Sequence, residues 1–266
     1  MQWELTTPVD LEKLAKEEKV CIVPIGVLER HGNHLPLGTD GIIAHKIAVE
    51  AAKIEPCVVF PVYWFGQDHE ANHTIGAVNF ESDFTVTLLN KLCDEIGRNG
   101  FTKILFVNGH GGNSSMLSYF LFSTMERKVP YTVYSLMYDA GLTEEERKEA
   151  LSYVNPDGGH ADQWETSLVM SVCPESVKME YQEFSEPIKA LHRVSHLGRI
   201  STPFSWYASY PEHVTGSPSK ATKEAGDKLV ELYAKRLAKD IKALKEDTVV
   251  ESLRDEFMKR KNSIGK

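Results

Sequence analysis

Two stretches of this chain are apolar with no polar alternation, CIVPIGVL at 21–28 and the body of KILFVNG at 103–109. A strand with one wet face alternates apolar and polar side chains. A strand without alternation is covered on both faces, which is the habit of parallel sheets. The segments between such runs have the helical period instead. GIIAHKIAVEAAKIE (41–55) brings Ile43, Ile47 and Ala51 to one face. A further helix is predicted from about Asp83, with Ser82 as its cap, an inner stripe of Val86, Leu89, Cys93 and Ile96, and Asn99-Gly100 as its stop. A short helix over 10–18, strands at CVVFPVYW (57–64, its end weakened by Pro61) and YTVYSLMY (131–138), and a helix from Asn113 to Arg127 complete the pattern. Strands alternating with helices of these lengths predict an α/β fold with a largely parallel sheet. Ligands in such folds bind beyond the carboxyl ends of the strands.

The second half is less regular. Residues 181–217 lack sustained periodicity and carry Pro187, Pro203 and Pro211, with Pro218 just beyond. So long a connector is a candidate functional or subunit-contact loop. Its Phe204, Trp206, Tyr207 and Tyr210 are residue types enriched in interface cores. Ala221 to Leu244 is a long amphipathic helix within a helical region 219–262. No repeat is visible, and 1–266 reads as one domain. A net charge of −8 argues against nucleic-acid backbone binding. No apolar run reaches membrane-spanning length, and MQWELTTPVD lacks a signal-peptide pattern. The four cysteines form no CxxC pair, and Cys21, Cys57 and Cys93 read as core. A soluble, cytoplasmic protein is expected.

Chemistry-bearing residues follow the strands. After the first come Glu29, His31 and, past a turn with Pro36 and Gly38, Asp40. One His with two carboxylates suits zinc, manganese or iron. Equally, Asp40 can cap the helix from Gly41. The third strand runs into Asn108-Gly-His110-Gly111-Gly112-Asn113. A dinucleotide loop there lacks its third glycine, and a serine-hydrolase loop lacks any GxSxG nucleophile in the chain. Asp157-Gly-Gly-His160-Ala-Asp162-Gln-Trp-Glu165 places His160 in a loop or at a helix start, Glu165 one turn in, and Asp162 as a cap. Asp68-His69-Glu70 and Asn72-His73 are either substrate-side groups or a solvated loop. His45, His192, His196 and His213 read as ordinary surface or core histidines.

The segments PIGVLERHGNHLPLGTD (24–40), NGHGGN (108–113), DGGHADQWETS (157–167) and TGSPSKATKEAG (215–226) together resemble the creatininase (creatinine amidohydrolase) family. The resemblance implies a three-layer α/β/α fold, two divalent metal ions (zinc first, manganese or iron as alternatives) and opening of amide bonds. It puts Glu29, His31, Asp40 and His110 on metal-ligand positions, with Asp40 bridging. Glu165 matches a glutamate beside the metals, as a further ligand or a general base, and Asp157 and His160 match catalytic positions facing the substrate. His73 and Gly111 are expected on the substrate side. Creatininase itself has a further acidic ligand two residues after the metal-binding His, where this chain has Gly112. The implied activity is hydrolysis of a small cyclic or linear amide, creatinine-like or N-formyl, by a metal-activated water, in a homo-oligomer, by resemblance a hexamer. The alternative is a metal-stabilised binding or scaffold protein without turnover.

Overall fold

The computed structural model describes residues 1–154 and 159–264. The elements are α1 (Pro8–Glu17), β1 (Val20–Ile25), α2 (Thr39–Ile54), β2 (Val58–Val59), α3 (Ser82–Arg98), β3 (Lys103–Asn108), α4 (Asn113–Ser123), β4 (Thr132–Met137), α5 (Glu144–Tyr153), α6 (Gln163–Val172), α7 (Ser205–Ser209), α8 (Lys223–Glu246) and α9 (Val249–Lys261). The four strands form one parallel sheet in the order β2-β1-β3-β4.

Every residue of β1 and β3 is buried, and their side chains divide between two cores. Val20, Ile22, Leu105 and Val107 face a core built with α2, α5, α6 and α8. Cys21, Val23, Ile25, Ile104 and Phe106 face a core built with α1, α3 and α4. The period of two thus sorts unbroken apolar runs onto two covered faces and gives the three layers. Cys21, Cys57 and Cys93 are buried, as expected.

Four boundaries differ from the sequence reading. The second strand pairs over Val58 and Val59 alone, because Pro61 has no N–H to give the ladder. Its path continues irregularly, and the Tyr63 N–H still donates to the Pro24 carbonyl at 2.9 Å. Ser82 is the first residue of α3 and not its cap; that position is Glu81, without a side-chain cap bond. The helix after β3 ends at Ser123 and tightens into a 3-10 turn over Thr124–Glu126. Helix α1 begins earlier than expected, at Pro8, because Thr7 accepts from the Asp10 N–H and proline suits the first helical position. The unpatterned stretch 181–217 holds only short turns and α7. Among the described residues no helix is long and apolar enough to cross a membrane.

The strand order sets the site. The connection from β1 to β2 carries α2 on one face, and the connection from β2 back over to β3 carries α3 on the other. The order of strand addition therefore switches sides between the parallel neighbours β1 and β3, and a crevice opens beyond their carboxyl ends.

Candidate metal centre

The residues after β1 and β3 meet the first turn of α2 in that crevice. Gly109, following β3, lies against α2 so closely that a Cβ there would stand 2.3 Å from the Asp40 carbonyl oxygen. Gly26, following β1, likewise would bring a Cβ within 2.4 Å of the Gly41 nitrogen. Only glycine allows the helix end to sit this low. Asp40 is the second residue of α2, and the cap position is Gly38, so the capping alternative does not hold. Its carboxylate turns into the crevice: Oδ1 lies 3.1 Å from His31 Nε2 and Oδ2 3.3 Å from His110 Nδ1.

Around Asp40 the other sequence-singled residues gather. Glu29 Oε1 is 2.8 Å from His110 Nδ1 and 3.7 Å from His31 Nε2. Glu29 and His31 meet although β1 ends at Ile25, because the chain turns back and the Glu29 N–H donates to the Leu37 carbonyl at 3.0 Å. From α6, Glu165 reaches to 3.6 Å from His31 Nε2, and its Oε2 accepts the Ala161 N–H at 2.6 Å. Asp162 caps α6 by accepting from the Trp164 and Glu165 N–H groups. Ala161 holds a left-handed φ of +57°, a conformation that costs a non-glycine residue energy and tends to occur where function requires it.

His160 precedes α6. Its Nε2 is 3.0 Å from the Arg30 carbonyl, which can only accept, so Nε2 carries the proton and Nδ1 presents a lone pair to the site, 4.0 Å from Glu29. Burial, reinforced by His31, pulls this imidazole down to about 3. Asp157 lies outside the described residues. His73 lines the entrance, with its ring nitrogens on the Glu70 and Pro211 carbonyls at 3.0 and 2.8 Å. Gly111 faces open space.

Two further members of the site are Asp68, which the sequence left between a substrate-side group and a solvated loop, and His213, which it read as an ordinary histidine. Asp68 is wholly buried beside Glu29 and His110. His213, also left-handed at φ +54°, donates to Glu29 Oε2 at 2.5 Å. Its proton is placed by Trp206, whose indole N–H donates to His213 Nδ1 at 2.9 Å; the remaining proton must sit on Nε2. A nitrogen carrying a proton is no metal ligand, so His213 orients Glu29. The one available signal for Asp68 was its place after a strand end. His213, deep in the unpatterned loop, offered none. The motif asparagines also acquire a function. Asn108 brackets His110 by accepting its N–H and donating to its carbonyl, and Asn113 ties that motif to the Gln67 N–H.

The electrostatics point one way. Glu29, Asp40, Asp68 and Glu165 have side chains no more than 12% exposed. Among the described residues none of the four is paired with lysine or arginine, only with histidines. Glu29 Oε1, Asp40 Oδ2 and both oxygens of Asp68 have no hydrogen-bond donor. Buried carboxylates require compensation. Burial alone lowers His31, but Glu165, Asp40 and Glu29 together raise it to about 10. Burial raises Glu165 to about 8. Orphaned carboxylate oxygens and imidazole nitrogens converging within 4.8 Å, as in Glu29–His31–Asp40 and Glu29–Asp68–His110, fit divalent cations. A cavity of about 560 Å³ adjoins the centre, lined by Gln67, Glu70, His73, Trp206 and Tyr207, with Trp206 against the His160 ring.

Fold and site together define a class, a parallel α/β protein with a carboxylate–imidazole centre suited to divalent cations. The chain belongs to the creatininase family: the family model described as creatinine amidohydrolase matches residues 4–241. A 3-dehydro-scyllo-inosose hydrolase of Thermotoga maritima is 25% identical, the match covering 90% of this chain and 83% of the relative. A creatinine amidohydrolase of Pseudomonas putida is 20% identical over 90% of this chain and 95% of that protein. A crystal structure of creatinine amidohydrolase superposes with a TM-score of 0.79 at 18% identity, covering 93% of this chain and 98% of the other. Creatininase structures described as Mn and as Zn-Zn type share this fold. The expected family and three-layer fold therefore stand.

Proposed function

We propose that this chain is a metal-dependent hydrolase with two divalent cations, zinc first and manganese or iron as alternatives, that cleaves the C–N bond of a small cyclic or linear amide. The observation that carries this reading is the set of buried carboxylates with orphaned oxygens and no lysine or arginine partner. Glu29, Asp40 and His110 would hold one cation, and His31, Asp40 and Glu165 the other, with the two oxygens of Asp40 facing the two sides. Such ions, when bound, acidify a water and polarise a carbonyl.

The chain's own groups supply the rest. His160, with its N–H fixed on the Arg30 carbonyl, offers Nδ1 as a proton acceptor and can pass that proton to the leaving nitrogen. Glu165, held by the Ala161 N–H, is either a ligand or the base for the water. Asp157 is assigned to the catalytic set by family position. His73, Trp206 and Tyr207 line the adjoining cavity that would take the substrate, and Gly111, which faces open space, is assigned to the substrate side with them.

The name of the Thermotoga relative adds an inosose, a carbocyclic ketone without a C–N bond, so turnover of it would replace the amide reading by hydrolysis of another bond. The test is elemental analysis of protein purified without chelator. A screen of cyclic amides, N-formyl amides and 3-dehydro-scyllo-inosose then follows with the metals found. Turnover lost on chelation and restored by metal is the expected result. Metal-loaded protein inert to the whole panel would leave the scaffold alternative. We also propose a homo-oligomer, a hexamer by family resemblance, which sedimentation equilibrium checks. A cytoplasmic location agrees with four free cysteines.

A further inference from the structure

Gly112 removes one carboxylate from the centre, and a side chain there has little room. A Cβ at 112 would stand 2.5 Å from His110 Nε2 and 2.9 Å from Glu70 Oε1. The question is which group balances the charge of the cation on the Glu29–Asp40–His110 side. We propose that Asp68 is the carboxylate ligand of that cation, taking the part of the acid absent at Gly112. This rests on the two-cation reading above.

Three observations support it. Asp68 offers an oxygen within 4.8 Å of the ligand atoms of Glu29 and His110. It is 0% exposed, and neither oxygen has a donor, although His213 Nε2 stands 4.0 Å away with its proton committed to Glu29. Its backbone is clamped on both sides by Asn79, whose side chain accepts the Asp68 N–H at 2.9 Å and donates to the Asp68 carbonyl at 2.7 Å. A residue held so firmly, with its charge aimed at two further acceptor-rich groups, is built for a cation. Glu70 is the rival by proximity to Gly112. Its Oε2 is already taken by the Gln67 amide at 2.6 Å, and it is only partly buried.

The experiment titrates zinc alone and manganese alone into metal-stripped wild type, Asp68→Asn, Glu70→Gln and Asp40→Ala. Stoichiometry comes from elemental analysis and affinity from chelator competition. Wild type takes up two equivalents, and Glu70→Gln matches it. Asp68→Asn keeps one equivalent and weakens the other by at least ~10-fold, since deprotonated oxygen ligands carry metal affinity. Asp68→Asn retaining both ions at wild-type affinity overturns the proposal; Asp68 is then a neutral acid sharing a proton with Glu29. Loss in Glu70→Gln alone overturns it in favour of Glu70. Under both outcomes, failure of Asp40→Ala to hold ions keeps the two-cation reading intact. A wild type that takes up no ion refutes both. Should Asp68→Asn not fold, Asp68→Cys loaded with cadmium gives an independent readout. An ultraviolet thiolate-to-cadmium charge-transfer band absent from wild type is expected, and its absence in folded, cadmium-loaded protein counts against Asp68.

Discussion

Substituting Gly109 by alanine tests how the centre is assembled. The new methyl would lie 2.3 Å from the Asp40 carbonyl oxygen and 2.8 Å from its carbon, both backbone atoms that no rotamer change can move. A carbon–oxygen contact settles at about 3.3 Å, so the start of α2 must recede by about 1 Å. Overpacking of this kind costs ~1–3 kcal/mol. For a chain of this size that lowers the melting temperature by about 2–10 °C. Asp40 moves with the helix, and a 1 Å misplacement near the chemistry costs turnover ~10²-fold. Circular-dichroism melts, metal content and kcat are measured together. Gly111→Ala is the control for stability, since a Cβ there meets nothing within 4 Å. Gly109→Ala that melts with wild type and holds metal at wild-type stoichiometry would refute the reasoning that close glycine contact seats Asp40.

Asp162→Ala should cost ~1–2 kcal/mol in denaturant unfolding, because the Gly159, Trp164 and Glu165 N–H groups lose their acceptor. Asp162→Asn, which keeps one acceptor oxygen, should recover part of that loss. His34 is held down to about 4 by burial and then by His31. The unfolded state therefore takes up the proton first, so its stabilising contribution is complete above about pH 6.5 and is lost as pH falls toward 4. His34→Gln should flatten that part of the stability–pH curve relative to wild type; an unchanged slope would remove His34 from the account. Zinc at 100 times its Kd should stabilise the fold by ~2.7 kcal/mol per site, and chelation should lower the melting temperature accordingly. Identical melts with zinc and with chelator would count against cation binding.

Much of this protein was determined locally. Strands β1 and β3 were legible because both their faces are buried, so their sequences carry no alternation to misread. Glu29, His31, Asp40 and His110 were legible because they follow those strands, where parallel sheets leave room for ligands. Asp162 showed itself as a cap by its place before an apolar run. Other features depended on distant partners. Whether Asp40 caps a helix or enters the site was decided by how low α2 sits on Gly26 and Gly109. Asp68 looks in sequence like any acid in a polar loop; only the Asn79 clamp and the packed surroundings bury it. His213 reaches Glu29 across 184 positions of chain, and its proton is fixed by Trp206. Local sequence encodes periodicity and strand ends. Burial, and with it the charge and proton position of a side chain, belongs to whatever the finished fold brings against it.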